Sequence, residues 1–164
     1  MEYINADLTK IYDSADYPLG AKCIADGNEY RFVAYNDGDG DVAGVAGQLV
    51  YYAYSGTTTV GAFTVTMDYD TATVIKTYIQ AAAGFLQAAL TNGKYGWIQT
   101  KGINKIAMLT NNNVAAGEAI IPAAADGTVD GVAAAAVTTR EIGFAMADDS
   151  GTAQAVGTAY INCM

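Results

Sequence analysis

Short apolar runs separated by turn residues dominate this chain, and most of the runs have a period of two. From Glu29 to Tyr35, Tyr30, Phe32 and Ala34 fall on one face and Arg31, Val33 and Tyr35 on the other, as in a strand. Ala21 to Ala25 reads as a preceding strand. Asp26-Gly27 (or Gly27-Asn28) between them offers the positive φ of a tight turn. Gln48 to Tyr54, rich in Tyr, Leu and Val, predicts another strand, and Val60 to Met67 alternates again. Asn92-Gly93 is the strongest local signal, the preferred centre of a type I′ hairpin. Strands are predicted after it at Tyr95 to Thr100, Ile103 to Leu109 and Glu118 to Pro122. Ala123 to Thr128 and Asp130-Gly131 read as loop and turn. Arg140 to Ala147 and Ala153 to Asn162 read as a closing hairpin around Asp148-Asp149-Ser150-Gly151.

Two stretches depart from this pattern. Residues 1–18 lack turn chemistry until Tyr17-Pro18, where the proline pushes Tyr17 toward an extended conformation. They read as an N-terminal arm, extended or partly helical and loose in the free protein. In Thr71 to Leu90 the spacing of Val74, Ile75, Tyr78, Ile79, Ala82, Phe85 and Leu86 is helical, but Gly84 interrupts it at a cost of about 1 kcal/mol. A helix over 71–83 followed by a strand from Gly84 to Ala89 reconciles the two signals. The predicted fold is mainly β: a small β-barrel or β-sandwich-like domain of short antiparallel strands over residues 19–164, with an extended N-terminal arm and this one helix. Ala46-Gly47-Gln48-Leu49-Val50 echoes Ala116-Gly117-Glu118-Ala119-Ile120. A turn glycine, a polar residue and a strand recur cheaply by chance, so no repeat is read from it.

Composition narrows the function. At 164 residues the chain is long enough to bury a core without disulfide or metal staples. Only 15% of residues are charged, against about 25% in average domains, so the surface is weakly charged and suited to packing against copies or partners. The net charge of −9 and the scarcity of Lys and Arg argue against nucleic acid and against anionic membranes as partners. Met1-Glu2-Tyr3-Ile4-Asn5 has neither a basic nor an apolar segment of a secretory signal, so synthesis in a cytoplasm is expected. Cys23 and Cys163 read as two free, partly buried thiols.

The usual chemistry is missing. With no His in the chain, Ser-His-Asp and Cys-His machinery is excluded, and so is the commonest zinc ligand. No phosphate-cradling or dinucleotide loop occurs. Asp148-Asp149 and Asp68/Asp70 are the candidate carboxylate pairs, and a turn role suits them better than acid–base work. Asp37-Gly38-Asp39-Gly40-Asp41 resembles the start of a calcium loop, but Val42 and Gln48 stand where such a loop needs Gly and Glu. Trp97 with Tyr51, Tyr52 and Tyr54 could form a stacking platform. Core packing with cross-strand aromatic pairing is the favoured reading, because adjacent Tyr51 and Tyr52 point to opposite faces.

Three blocks of the chain carry a resemblance. They are Leu19-Gly20 with Asp26-Gly27-Asn28-Glu29-Tyr30-Arg31-Phe32-Val33 and Ala46-Gly47-Gln48-Leu49-Val50-Tyr51; Phe85-Leu86-Gln87-Ala88-Ala89 with Gly93-Lys94-Tyr95-Gly96-Trp97-Ile98-Gln99-Thr100-Lys101-Gly102; and Ile142-Gly143-Phe144-Ala145-Met146-Ala147 through Val156-Gly157-Thr158-Ala159. Together they resemble the head decoration, or capsid cement, proteins of tailed bacteriophages, over roughly residues 19 to 160. Residues 55–82 match nothing in that pattern. The resemblance implies a β-rich virion protein on the capsid exterior, made in the host cytoplasm, with the major capsid protein as partner and homotrimers or other small oligomers of itself. It implies no enzyme activity and no cofactor. Met1, Tyr3, Ile4 and Leu8 of the arm and Tyr51, Tyr52 and Tyr54 are the expected capsid or intersubunit contacts. Two rivals are a carbohydrate-binding β module using Trp97 and exposed tyrosines, and a self-assembling shell or fibre subunit.

Overall fold

The computed structural model describes residues 2–3, 6–36, 43–53, 62–68, 82–110, 113–123, 125–133, 141–148 and 156–163. Within them the chain is all-β. The strands are β1 (Glu2–Tyr3), β2 (Lys22–Ala25), β3 (Asn28–Tyr35), β4 (Leu49–Tyr52), β5 (Thr64–Thr66), β6 (Ala82–Leu86), β7 (Tyr95–Ile103), β8 (Ala119–Pro122), β9 (Val129–Val132), β10 (Gly143–Ala145) and β11 (Ala159–Asn162). One sheet runs through all of them in the order β1-β2-β3-β5-β4-β6-β7-β11-β10-β8-β9.

A second pairing, of β7 back onto β3, closes β3, β5, β4, β6 and β7 into a five-stranded barrel. The β3–β5 contact is parallel and the other four are antiparallel. Closure leaves these strands without open edges. Inside sit Val33, Tyr35, Val50, Val65, Met67, Ala83, Leu86 and Ile98, all buried. Outside, β3 and β7 carry the cross-strand pair Phe32–Trp97, whose rings meet edge-on at 5.3 Å.

The remaining strands repeat this topology. Residues 108–110 take the place of β3, β8 of β4, β9 of β5, β10 of β6 and β11 of β7. Thr110 bridges Val129 of β9 in parallel, and β9–β8, β8–β10 and β10–β11 are antiparallel. Met108 bridges Val156, just before β11, to complete the ring. The inward positions correspond one to one: Val33, Val50, Val65, Leu86 and Ile98 match Met108, Ile120, Val129, Ala145 and Ala159, and all ten are buried. The Ala46-Gly47-Gln48 and Ala116-Gly117-Glu118 echo is therefore structural. The Gly47 amide donates to the Leu86 carbonyl at 2.9 Å, as Gly117 does to Ala145 at 2.8 Å. Leu86 returns a bond to Gln48 at 3.0 Å, as Ala145 does to Glu118 at 2.9 Å. The Gln48 side chain accepts from the Val45 amide at 2.6 Å, and the Glu118 carboxylate from the Ala115 amide at 2.8 Å. Glycines mark the same point in β6 and β10, since a Cβ on Gly84 would lie 2.5 Å from the Gln99 carbonyl oxygen and one on Gly143 would strike that of Tyr160.

The barrels are fused through β7, whose Lys101–Ile103 end pairs with β11. The outward residues of the first barrel, Leu49, Tyr51 and Phe85, join one apolar cluster with Met108, Val114, Ile120 and Ile161 of the second. On the far side of the first barrel, residues 6–25 pack as a cap: Tyr12 is buried and pairs with Tyr95, and Leu8, Tyr17 and Leu19 lean on Phe32 and Trp97.

Several expectations change. Of the helix over 71–83, only residues 82 and 83 are described, and both belong to β6. Asp26-Gly27 forms the expected tight turn, both residues having positive φ. At Asn92-Gly93 only Gly93 does, with Lys94 bonding back to Thr91 at 3.0 Å, so the turn is not type I′. Asp130-Gly131 lies inside β9 and not in a turn, because Gly131 is there for close approach: a Cβ would collide with the Glu118 carboxylate. The arm is docked from residue 6 onward, because Tyr12 and its neighbours have an apolar face to cover.

Candidate contact surfaces

Of the candidate carboxylates, Asp68 and Asp148 are described, and both sit in loops outside the strands. The Asp148 carboxylate accepts the Ala116 amide at 2.8 Å and so clasps the turn before β8. The Asp68 amide bonds the Thr66 hydroxyl at 3.2 Å. Asp70, Asp149 and the Asp37–Asp41 run lie outside the described residues. Among the described residues, no group of three or more Cys, Asp or Glu is placed to hold a metal ion, and no helix is long and apolar enough to cross a membrane.

Trp97 is fully buried, in edge-on contact with Tyr17 and Phe32, which removes it from any stacking platform. Tyr51 is buried as well, since its strand faces the second barrel. Tyr52 is half-buried; its hydroxyl accepts from the Arg31 guanidinium at 2.6 Å, and its ring meets Phe63 edge-on. Leu8 is half-buried against the Phe32–Trp97 cluster. Tyr3 lies in β1, which pairs in parallel with β2. Met1, Ile4 and Tyr54 lie outside the described residues. Tyr51 and Tyr52 thus both pack against other parts of the chain.

Both cysteines lie outside any disulfide, and both are buried where partial burial was expected. Burial pushes the Cys163 thiol up to about 12 from an ordinary value of 9.0. The folded chain keeps this proton where the unfolded chain releases it, so stability is complete below pH 9 and is lost as pH rises toward 12. Tyr12 and Tyr30, raised chiefly by burial, add to the same alkaline loss. Urea melts from pH 8 to 11 should show falling stability, with a shallower fall for Cys163→Ala. An identical slope would mean that the thiol does not contribute.

Among the described residues, the exposed large apolar ones are Ile11, Ile24, Val45, Ile103, Phe144 and Met146. Ile11 and Ile24 belong to the cap. Phe144, Met146 and Ile103 belong to the second barrel and its junction strand. They escape single-sequence reading because strand alternation places a residue outward without telling whether another element covers it. Comparison of the chain with protein-family models, curated proteins and solved structures returns no match.

Proposed function

We propose that this chain is a structural virion protein that binds the outside of a phage capsid and strengthens contacts between major capsid protein subunits. The observation that carries the reading is the resemblance to head decoration proteins over residues 19 to 160. The physical character of the chain supports it. The five strands of the first barrel close on themselves, which leaves them no open edge and favours a stiff body. Low charge density and scattered exposed apolar side chains suit broad contact with another protein. The net charge of −9 keeps such a protein soluble at high local concentration before it docks.

In this role the chain acts by buried area alone. Each copy spans a seam between capsid subunits through a modest interface. Many copies on one shell act together, so the seam resists opening far better than one contact would. The cap side, with Ile11 and Ile24 exposed, is the side assigned to the capsid; the resemblance also implies a homotrimer.

The test is co-sedimentation of the purified chain with phage heads stripped of accessory proteins. Saturable binding at a fixed ratio to the major capsid protein is expected, and Ile24→Asp should weaken it. Absence of binding would refute the capsid role, and glycan-array binding in its place would favour the carbohydrate-binding module.

A further inference from the structure

Residues 6–20 of the cap lie across the first barrel as a strap. Within it only Tyr12 is buried; Ala6, Leu8, Tyr17, Leu19 and Gly20 are half-buried, and the rest are exposed. Beneath it lie Cys23, Tyr30, Phe32 and Trp97, all buried in one cluster with Tyr12. The strap is fastened at two places. Tyr12 and Tyr95 exchange backbone bonds of 2.9 and 3.0 Å, the Tyr12 ring meets Phe32 edge-on at 5.4 Å, and Lys94 pairs with Asp13 at 2.6 Å. At the far end the Gly20 amide donates to the Phe32 carbonyl at 2.8 Å.

The barrel beneath closes without the strap. Its ring consists of β3, β5, β4, β6 and β7, and β3 and β7 hold each other from Glu29–Lys101 to Ala34–Tyr95. The second barrel provides a comparison. By the same correspondence of inward residues, Ala107 and Thr158 stand where the first barrel has Phe32 and Trp97, and Ala107 is exposed. A ring of this topology therefore tolerates solvent on that face.

We propose that the strap opens as a unit while both barrels stay closed, with Tyr12 as its latch, and so alternately hides and displays the aromatic face of Tyr30, Phe32 and Trp97. The case rests on an imbalance of contacts. Opening gives up one fully buried side chain, a reciprocal backbone pair and surface contacts, whereas unfolding gives up two barrel interiors. Segments with few buried apolar contacts open at free energies well below the global value. The Asp13–Lys94 pair adds little to the fastening, because the Asp13 carboxylate is 88% exposed. The device does not depend on capsid binding.

Cys23 lies under the strap and reports its opening, because a thiol that is 1% exposed reacts only when it is uncovered. The experiment is iodoacetamide labelling of the full Cys163→Ala chain, in which Cys23 is the only cysteine, at reagent concentrations where the rate is linear. The rate divided by that of the urea-unfolded chain gives an opening constant, which is compared with the unfolding constant from urea melts. The opening constant should exceed the unfolding constant by at least about a hundredfold and should vary little with urea, since opening exposes little surface. Tyr12→Ala should raise it by about a hundredfold, the effect of losing a buried ring. Val65→Ala, inside the first barrel, should raise the unfolding constant alone, because that interior is intact whether the strap is closed or open. Labelling that matches global unfolding in magnitude and urea dependence would overturn the strap, even if Tyr12→Ala misfolds, and so would labelling accelerated by Val65→Ala. Labelling indifferent to Tyr12→Ala would overturn Tyr12 as the latch. Failed co-sedimentation with capsids would count against the capsid role alone.

Discussion

Gly47→Ala is expected to destabilise the chain by about 3 to 4 kcal/mol, and Gly117→Ala by only about 1 to 2. The two glycines occupy the same position in the two barrels and have nearly the same backbone, with φ of 88° and 84°. Both therefore incur the left-handed cost of a side chain. Their surroundings differ. A Cβ on Gly117 meets nothing within 4 Å, whereas one on Gly47 strikes the Ala107 carbonyl oxygen. That carbonyl is backbone of the segment leading into the second barrel, and the Gly47 carbonyl accepts a bond from the Leu109 amide two residues on, at 3.2 Å. Relief requires the two barrels to separate locally. Equilibrium urea unfolding of both variants measures the difference. Equal costs would mean that the junction yields easily and that the fusion of the barrels is soft.

Local chemistry in this chain was readable, and closure was not. Asp26-Gly27 reads as a tight turn because two positive-φ residues between alternating runs leave few alternatives. Glu118 to Pro122 and Tyr95 to Thr100 read as strands for the same local reason, and β8 and β7 occupy those places. Asp130-Gly131 misleads because glycine serves turns and close packing alike, and only the facing Glu118 distinguishes them. The pairing of β3 with both β5 and β7 joins residues far apart in sequence, and no dipeptide announces it. The duplicated barrel left two faint traces, Ala46-Gly47-Gln48 against Ala116-Gly117-Glu118 and Gly84-Phe85 against Gly143-Phe144. Each is too short to stand alone. They gain meaning because the matched residues make matched hydrogen bonds, Gly47 to Leu86 and Gly117 to Ala145.

The same logic explains why buried and exposed outward residues look alike in the sequence. Tyrosines drew attention as contact residues, yet Tyr51 lies under the second barrel and Tyr52 bonds Arg31. Phe144, which is half-exposed, follows the same Gly-Phe pattern as the buried Phe85. Strand periodicity specifies inward or outward with respect to one barrel. Whether outward means solvent depends on the order in which barrels stack, and that is a property of the whole chain.

That difference sets the second large effect. Phe85→Ala should cost about 3 to 5 kcal/mol, while Phe144→Ala should cost less than about 1.5. Phe85 is 1% exposed and packs in the cluster that joins the barrels, with Leu49, Met108 and Ile120 around it. Its removal leaves a cavity that two closed barrels cannot readily collapse into. Phe144 loses mainly its stacking on Tyr160. Urea midpoints for the two variants, with unchanged slopes, provide the comparison. A small effect at Phe85 would mean that the barrels hold together through β7 and backbone bonds, with little help from the cluster. A large effect at Phe144 would mean that its half-exposed ring nonetheless supports the second barrel.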